Sequence, residues 1–127
     1  MNKFKTLSEI RKELGVSRKV IQGYEKHGLI SPCGKDKYGH LIYDAKTIET
    51  IIMIRFYQKL GFLIKEIKEL LFLDGDKMKE AIAKKRKENS YLIDSLSKKQ
   101  LVIDYLMRSG EKPHIEFMLN IVKEDKK

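Results

Sequence analysis

Through the first 72 residues, apolar positions recur at helical spacing in short runs separated by glycine-bearing turns; beyond them they thin into one long, sparse stripe. Thr6-Leu7-Ser8-Glu9 has the spacing of a capping box, in which the threonine oxygen accepts from a free backbone N–H and the glutamate reaches back to the cap. Leu7, Ile10 and Leu14 then share a face, and Gly15 supplies the left-handed turn that ends this first helix. Ser17 caps a second helix with Val20, Ile21 and Tyr24 inward, while Arg18, Lys19, Gln22 and Gly23 fall on its other sides and Gly28 terminates it. Two short helices joined by Gly15-Val16-Ser17 make a helix-turn-helix.

From Ile30 to Tyr43 the pattern changes. Ser31-Pro32-Cys33-Gly34 and Tyr38-Gly39 are turn sequences with Lys35 and Lys37 between them, which predicts a small basic hairpin, a wing. Asp44 caps a third helix whose Ile48, Ile51, Ile52, Ile54, Phe56, Tyr57 and Leu60 spread over more than one side, as for a helix covered by neighbours. Gly61 ends it, and a shorter fourth helix carries Ile64, Ile67, Leu70 and Leu71. After Asp74-Gly75-Asp76 neither glycine nor proline occurs until Gly110, so roughly 33 residues can form one helix about 50 Å long. As heptads, Met78, Lys85, Leu92, Lys99 and Leu106 occupy one seam position, and Ile82, Asn89, Leu96 and Ile103 the other. A stripe this long on so polar a helix predicts a partner helix, with Asn89 placed to fix its register. Gly110 and Pro113 break the helix, and His114 to Val122 form a last short one with Ile115, Met118, Leu119 and Val122 inward.

The predicted fold is therefore mainly α: a winged helix-turn-helix DNA-binding domain with a small β wing over residues 1–73, a long coiled-coil dimerisation helix over 74–109, and a short C-terminal helix and tail over 110–127. The expected dimer interface is Met78, Ile82, Asn89, Leu92, Leu96, Ile103 and Leu106.

Charge narrows the partner. Lysine and arginine number 27 against 18 acidic residues, a net charge of +9, which favours a polyanion through counterion release. The excess sits mainly in residues 1–72, with 14 basic and 8 acidic residues, against 13 and 10 in the remainder. Ser17, Arg18, Lys19 and Gln22 open the second helix, where side chains of a recognition helix reach base edges or phosphates; arginine matches guanine and glutamine matches adenine by bidentate geometry. Lys35, Lys37, Tyr38 and His40 decorate the wing, the lysines as point charges for phosphate. Thr6 could add a phosphate donor at a helix start, although its cap explains it alone. The ordinary alternative for all of these is a solvated polar surface. Lys84-Lys85-Arg86-Lys87 lies inside a periodic helix beside Glu80 and Glu88, and reads as a solvated face.

The single cysteine, Cys33, excludes an intrachain disulfide, and the scattered His27, His40 and His114 have no metal-ligand spacing, so neither a cofactor nor a metal is expected. Met1 to Lys5 lacks the apolar core of a signal peptide and no segment approaches the ~20 apolar residues of a membrane span, which predicts a cytoplasmic protein without a membrane partner. No nucleophile motif or glycine-rich phosphate loop points to an enzyme.

Several motifs in register, Thr6-Leu7-Ser8-Glu9-Ile10, Leu14-Gly15-Val16-Ser17, Tyr24-Glu25-Lys26-His27-Gly28-Leu29-Ile30, Pro32, Gly39 through Tyr43-Asp44, and Leu60-Gly61-Phe62 with Lys65-Glu66-Ile67, resemble the MerR family of bacterial transcription regulators. The resemblance runs from Phe4 to about Leu71, and the long helix is similar to the family's antiparallel dimerisation helix. It implies a homodimer on a pseudo-palindromic promoter in double-stranded DNA, with RNA polymerase as a further partner. Gln22-Gly23 stands where the family usually has an arginine and an aromatic residue, Leu41 where the wing normally has an arginine, and Leu63 where a serine often caps the fourth helix. Gln22 is then either a base reader or a replacement for a backbone contact. Members that bind bulky ligands carry a large C-terminal domain, whereas about 17 residues follow the long helix here, too few to enclose a drug-sized pocket alone. Alternative readings of the same module are an architectural, chromosome-organising DNA binder, or a protein-binding adaptor with a degenerate winged domain.

Overall fold

The computed structural model describes residues 4–124; the outer ends of the first and last predicted segments, residues 1–3 and 125–127, lie outside the described residues. The chain falls into two compact units, residues 1–85 and residues 86–127.

The first unit opens with β1 (Phe4–Thr6), which runs into α1 (Leu7–Leu14). The capping box forms as its spacing requires: Thr6 Oγ1 accepts from the Glu9 amide at 3.3 Å, and Glu9 Oε1 accepts from the Thr6 amide at 3.0 Å. Gly15, at φ 63°, closes the helix by donating its amide to the Arg11 carbonyl. After the turn comes α2 (Arg18–Lys26), capped by Ser17 Oγ accepting from the Val20 amide at 3.2 Å. The next segment holds β2 (Gly34–Lys35) and β3 (Leu41–Asp44) around a turn in which Asp36 Oδ1 accepts from the Tyr38 and His40 amides, each at 2.9 Å.

The wing is more than the hairpin the sequence predicts. β3 also pairs antiparallel with β1, in the register Phe4 with Asp44, Lys5 with Tyr43 and Thr6 with Ile42, so the sheet has the order β1-β3-β2. Three residues without alternation give no local strand signal; only the distant partner defines β1.

Asp44 Oδ1 accepts from the Thr47 amide at 2.8 Å and starts α3 (Ala45–Lys59). The expectation of a helix covered by neighbours on more than one side holds for one side only. Ile51 and Ile54 are fully buried where β3 and α4 (Ile64–Leu70) meet the helix, but Ile52 is 48% and Phe56 57% exposed, because these elements reach a single face. Leu63 offers no capping oxygen to α4; Glu66 Oε1 takes over by accepting from the Leu63 amide at 2.8 Å, while Lys85 Nζ donates to the same oxygen at 3.0 Å. Ile10, Val16, Ile21, Tyr24, Tyr43, Ile51, Ile54 and Ile67 are among the side chains of one continuous core that α1, α2, β3, α3 and α4 enclose.

α5 (Gly75–Ser109) is the predicted long helix, 35 residues without a break. Its opening turns belong to the first unit: Met78 and Ala81 pack on the core, and Lys85 is buried with its ammonium 5.1 Å from the Phe62 ring centre. Met78 is thus half-covered by its own chain, and Lys85 is held by Glu66 rather than presented at a seam. In the second unit Ser109 Oγ and Gly110 at φ 66° end α5, and α6 (Ile115–Glu124) follows. Here the predicted inward face is corrected. Ile115, Met118, Leu119 and Val122 are exposed, and Phe117 and Ile121 are the half-buried residues, with Phe117 5.5 Å from Tyr105. α6 carries apolar residues on two sides, and the neighbouring ring of Tyr105 selects the i, i+4 pair.

Candidate nucleic-acid interface

Helix phase decides which side chains of α2 are available. Burial of Ile21 and Tyr24 fixes the rotation of α2, and Arg18, Lys19 and Gln22 are consequently exposed, with Arg18 and Gln22 one turn apart on the same side. Two hydroxyl contacts pin the helix from behind. Tyr24 donates its hydroxyl to Gln58 Oε1 at 2.5 Å, and Arg55 Nη1 donates to the same oxygen at 3.3 Å. Tyr43, buried on β3, donates its hydroxyl to the Glu25 carboxylate, which ties the base of the wing to α2. Burial, and next the carboxylate beside it, raise the Tyr43 hydroxyl above its ordinary value of 10, so the proton stays in this bond across the neutral range. Tyr24 therefore packs in the core, as its phase predicts.

A groove of about 440 Å³ brings together residues from three elements: Thr6, Leu7, Ser8 and Arg11 from the start of α1, Arg18 from the start of α2, and Gly39, His40 and Leu41 from the wing. A second groove adjoins it along α1, lined by Ser8, Arg11, Lys12, Gly15, Val16 and Ser17. Of the residues singled out in the sequence, Thr6, Arg18 and His40 meet in the first groove and Ser17 lines the second. Lys19 and Gln22 stand exposed on α2, outside both grooves. Lys35, Lys37 and Tyr38 are exposed on the wing, where the Lys37 ammonium lies 5.1 Å from the Tyr38 ring centre.

Hydroxyl chemistry separates the two caps. Thr6 Oγ1 donates to Glu9 Oε1 at 3.2 Å, so its proton is already committed to the capping box. Ser17 uses only a lone pair on the Val20 amide, which leaves its hydroxyl proton to donate outward. Arg11, Ser8 and Lys12 are the residues that the sequence reading missed. Ser8, Arg11 and Lys12 follow an i, i+3, i+4 pattern flanking the face of Leu7, Ile10 and Leu14, and that polar face was the available signal.

Electrostatics sharpen the picture, because the acidic side chains of these elements are occupied locally. Glu9 is held by the Thr6 amide and hydroxyl, which lower its pKa in that order of size; Asp36 is lowered first by the His40 amide; Glu13 pairs with Lys5 and Glu25 with Tyr43. Among the described residues, no carboxylate pairs with Arg11, Lys12, Arg18, Lys19, Lys35 or Lys37. The exposed faces of α1, α2 and the wing thus carry their unpaired charge as cations, the field a polyanion requires.

Cys33 is exposed at the edge of the wing, and among the described residues no three His, Cys, Asp or Glu side chains are grouped to hold a metal ion. No described helix is long and apolar enough to cross a membrane.

Comparison with known proteins follows the same boundaries. The profile of the family described as "MerR HTH family regulatory protein" matches residues 5–72, more than half of the chain. The "Heavy metal-dependent transcription regulator 2" of Rhizobium meliloti (strain 1021) is 38% identical over 71 residues, covering 56% of this chain and 48% of that protein. The chain spans about half the length of the curated relatives it matches. Among solved structures, the N-terminus of the Bacillus subtilis multidrug transporter activator MtaN superposes with a TM-score of 0.67 at 21% identity, covering 81% of this chain and 97% of that one. HiNmlR, a MerR family regulator lacking the sensor domain and bound to promoter DNA, superposes with a TM-score of 0.58 at 21% identity, covering 83% and 84%. These likenesses show the fold.

Proposed function

The chain belongs to the MerR family of helix-turn-helix regulatory proteins, and from that premise we propose that it is a cytoplasmic, homodimeric transcription regulator that reads a pseudo-palindromic site in duplex DNA. The observation that carries the reading is the unpaired cationic surface shared by α1, α2 and the wing, with α2 held by its buried residues so that Arg18 and Gln22 project together. A recognition helix enters the major groove while wing lysines and the first helix take the backbone, which divides base readout from positioning. Arg18 and Gln22 are the proposed base readers; Ser17, Lys19, Lys35, Lys37, Tyr38 and His40 are the proposed backbone and groove-edge contacts. Thr6 acts through the cap that sets the start of α1.

Dimerisation is proposed through α5. Ile82, Leu92, Leu96 and Ile103 are exposed apolar residues along the predicted seam, and Asn89 and Leu106 on it are half-buried. A second copy is the economical cover for such a stripe. In an antiparallel pair α5 fixes the distance between two recognition helices, so that a change along the coiled coil becomes a change in DNA twist or bend. RNA polymerase is the further partner this reading calls for at a promoter. Two relatives are named as heavy metal-dependent, and that property is not carried over to this chain.

Selection of bound sites from a random duplex pool tests the proposal. It predicts enrichment of a short inverted repeat, and selection with Gln22→Ala should relax one base position per half-site, at a cost of about 1–3 kcal/mol on the original sequence. Uniformly altered affinity with unchanged preference assigns Gln22 to the backbone. Binding without enrichment replaces regulation by an architectural role, and absence of binding leaves the adaptor reading.

A further inference from the structure

We infer that Arg11, on the outer face of α1, together with Arg18 on α2, forms a phosphodiester-binding site in the groove under the wing. The inference rests on the DNA-binding reading above and deepens it by assigning a backbone contact to α1.

Arg11 and Ser8 are the two side chains shared by both grooves, so they form the ridge between them. Arg18 enters the same groove from α2, and neither guanidinium is ion-paired among the described residues. The carboxylates close in sequence are occupied: Glu9 by the Thr6 cap, Glu13 by Lys5 and Asp36 by the wing amides. The wing side of the groove includes Gly39, His40 and Leu41, and Leu41 of β3 is an exposed apolar side chain that brings no charge. Positive charge in this groove therefore comes from the two helices rather than from β3. Two guanidiniums and the Ser8 hydroxyl lining one groove suit a tetrahedral anion with several acceptor oxygens, and the planar fork of arginine favours phosphate over a point contact. The first helix of a helix-turn-helix crosses the DNA backbone beside the groove that the second helix enters, which makes the duplex phosphodiester the occupant.

The experiment measures binding of the full chain to its selected duplex across a salt series, for the unmodified protein, Arg11→Ala, and Arg11→Ala combined with Leu41→Arg. The site predicts roughly tenfold weaker binding for Arg11→Ala on every sequence, with the salt slope reduced by about one. Leu41→Arg, which places a guanidinium on the wing side of the same groove, should restore most of that loss. Unchanged affinity and slope in Arg11→Ala, while the unmodified chain binds, overturns the site and leaves the proposed function standing. A loss confined to particular sequences, or one that Leu41→Arg leaves unrepaired, also overturns it. In a parallel arm, inorganic phosphate is titrated into the DNA-free protein and followed by NMR: absence of saturation in the micromolar range fits a backbone contact, whereas tight saturable binding identifies a free-anion site instead. If the unmodified chain binds no duplex, the site falls together with the DNA-binding reading.

Discussion

Tyr43 shows how single side chains transmit order from the core to the surface. Its ring is buried in the core, and its hydroxyl donates to Glu25, so one hydrogen bond ties the base of the wing to α2. Tyr43→Phe keeps the ring and removes the bond; urea denaturation should show a loss of about 1.5–3 kcal/mol, the range for a hydrogen bond to a charged acceptor. Affinity for DNA should fall further than stability explains, through a looser wing, and a variant with unaltered stability and affinity would deny the bond this role. At this scale the sequence was legible wherever one residue type has one backbone use. Thr6, Ser17 and Asp44 cap the helices that their spacing assigns, because a side-chain oxygen beside free N–H groups has a local geometry. Arg11 was not legible. A lone exposed arginine on a short helix acquires meaning only when the fold brings it into one groove with Arg18 and the wing.

Elements add constraints that no window of sequence contains. β1 exists because Tyr43 and its neighbours lie beside Lys5, and the outward turn of Met118 and Leu119 on α6 follows from the position of Tyr105. The wing turn depends on the Asp36 carboxylate, whose pKa lies below its ordinary 3.8, first through the His40 amide. A depressed carboxylate contributes stability that is present above the ordinary value and lost as pH falls through the folded one. Amide chemical shifts of Tyr38 and His40 should therefore change together on acidification below pH 4, and Asp36→Ala should show the acid-form shifts already at neutral pH. Shifts that stay constant in both experiments would rule out this clamp. The α4–α5 junction is held by Lys85, its ammonium shared between Glu66 and the face of Phe62. Lys85→Met keeps the stem packing and removes the charge, with an expected loss of about 1–3 kcal/mol for a largely buried pair. Thermal unfolding checks it, and an unchanged midpoint would reduce the pair to an incidental contact.

For the whole molecule the decisive quantity is the apolar surface left open by one chain. Leu92 and Leu96 are 61% and 63% exposed, so replacing both by aspartate removes little from the folded monomer while placing unpaired charges in the proposed seam. Sedimentation velocity at micromolar concentration should report a dimer for the unmodified chain and a monomer for Leu92→Asp with Leu96→Asp; a monomeric unmodified chain contradicts the seam. The central claim, two recognition helices held at a fixed separation by α5, is tested most directly by varying the distance between half-sites in the selected duplex. Inserting about five base pairs turns one half-site to the opposite face of B-DNA. The account predicts that affinity then falls to that of a single half-site, and affinity unchanged by the insertion would contradict it.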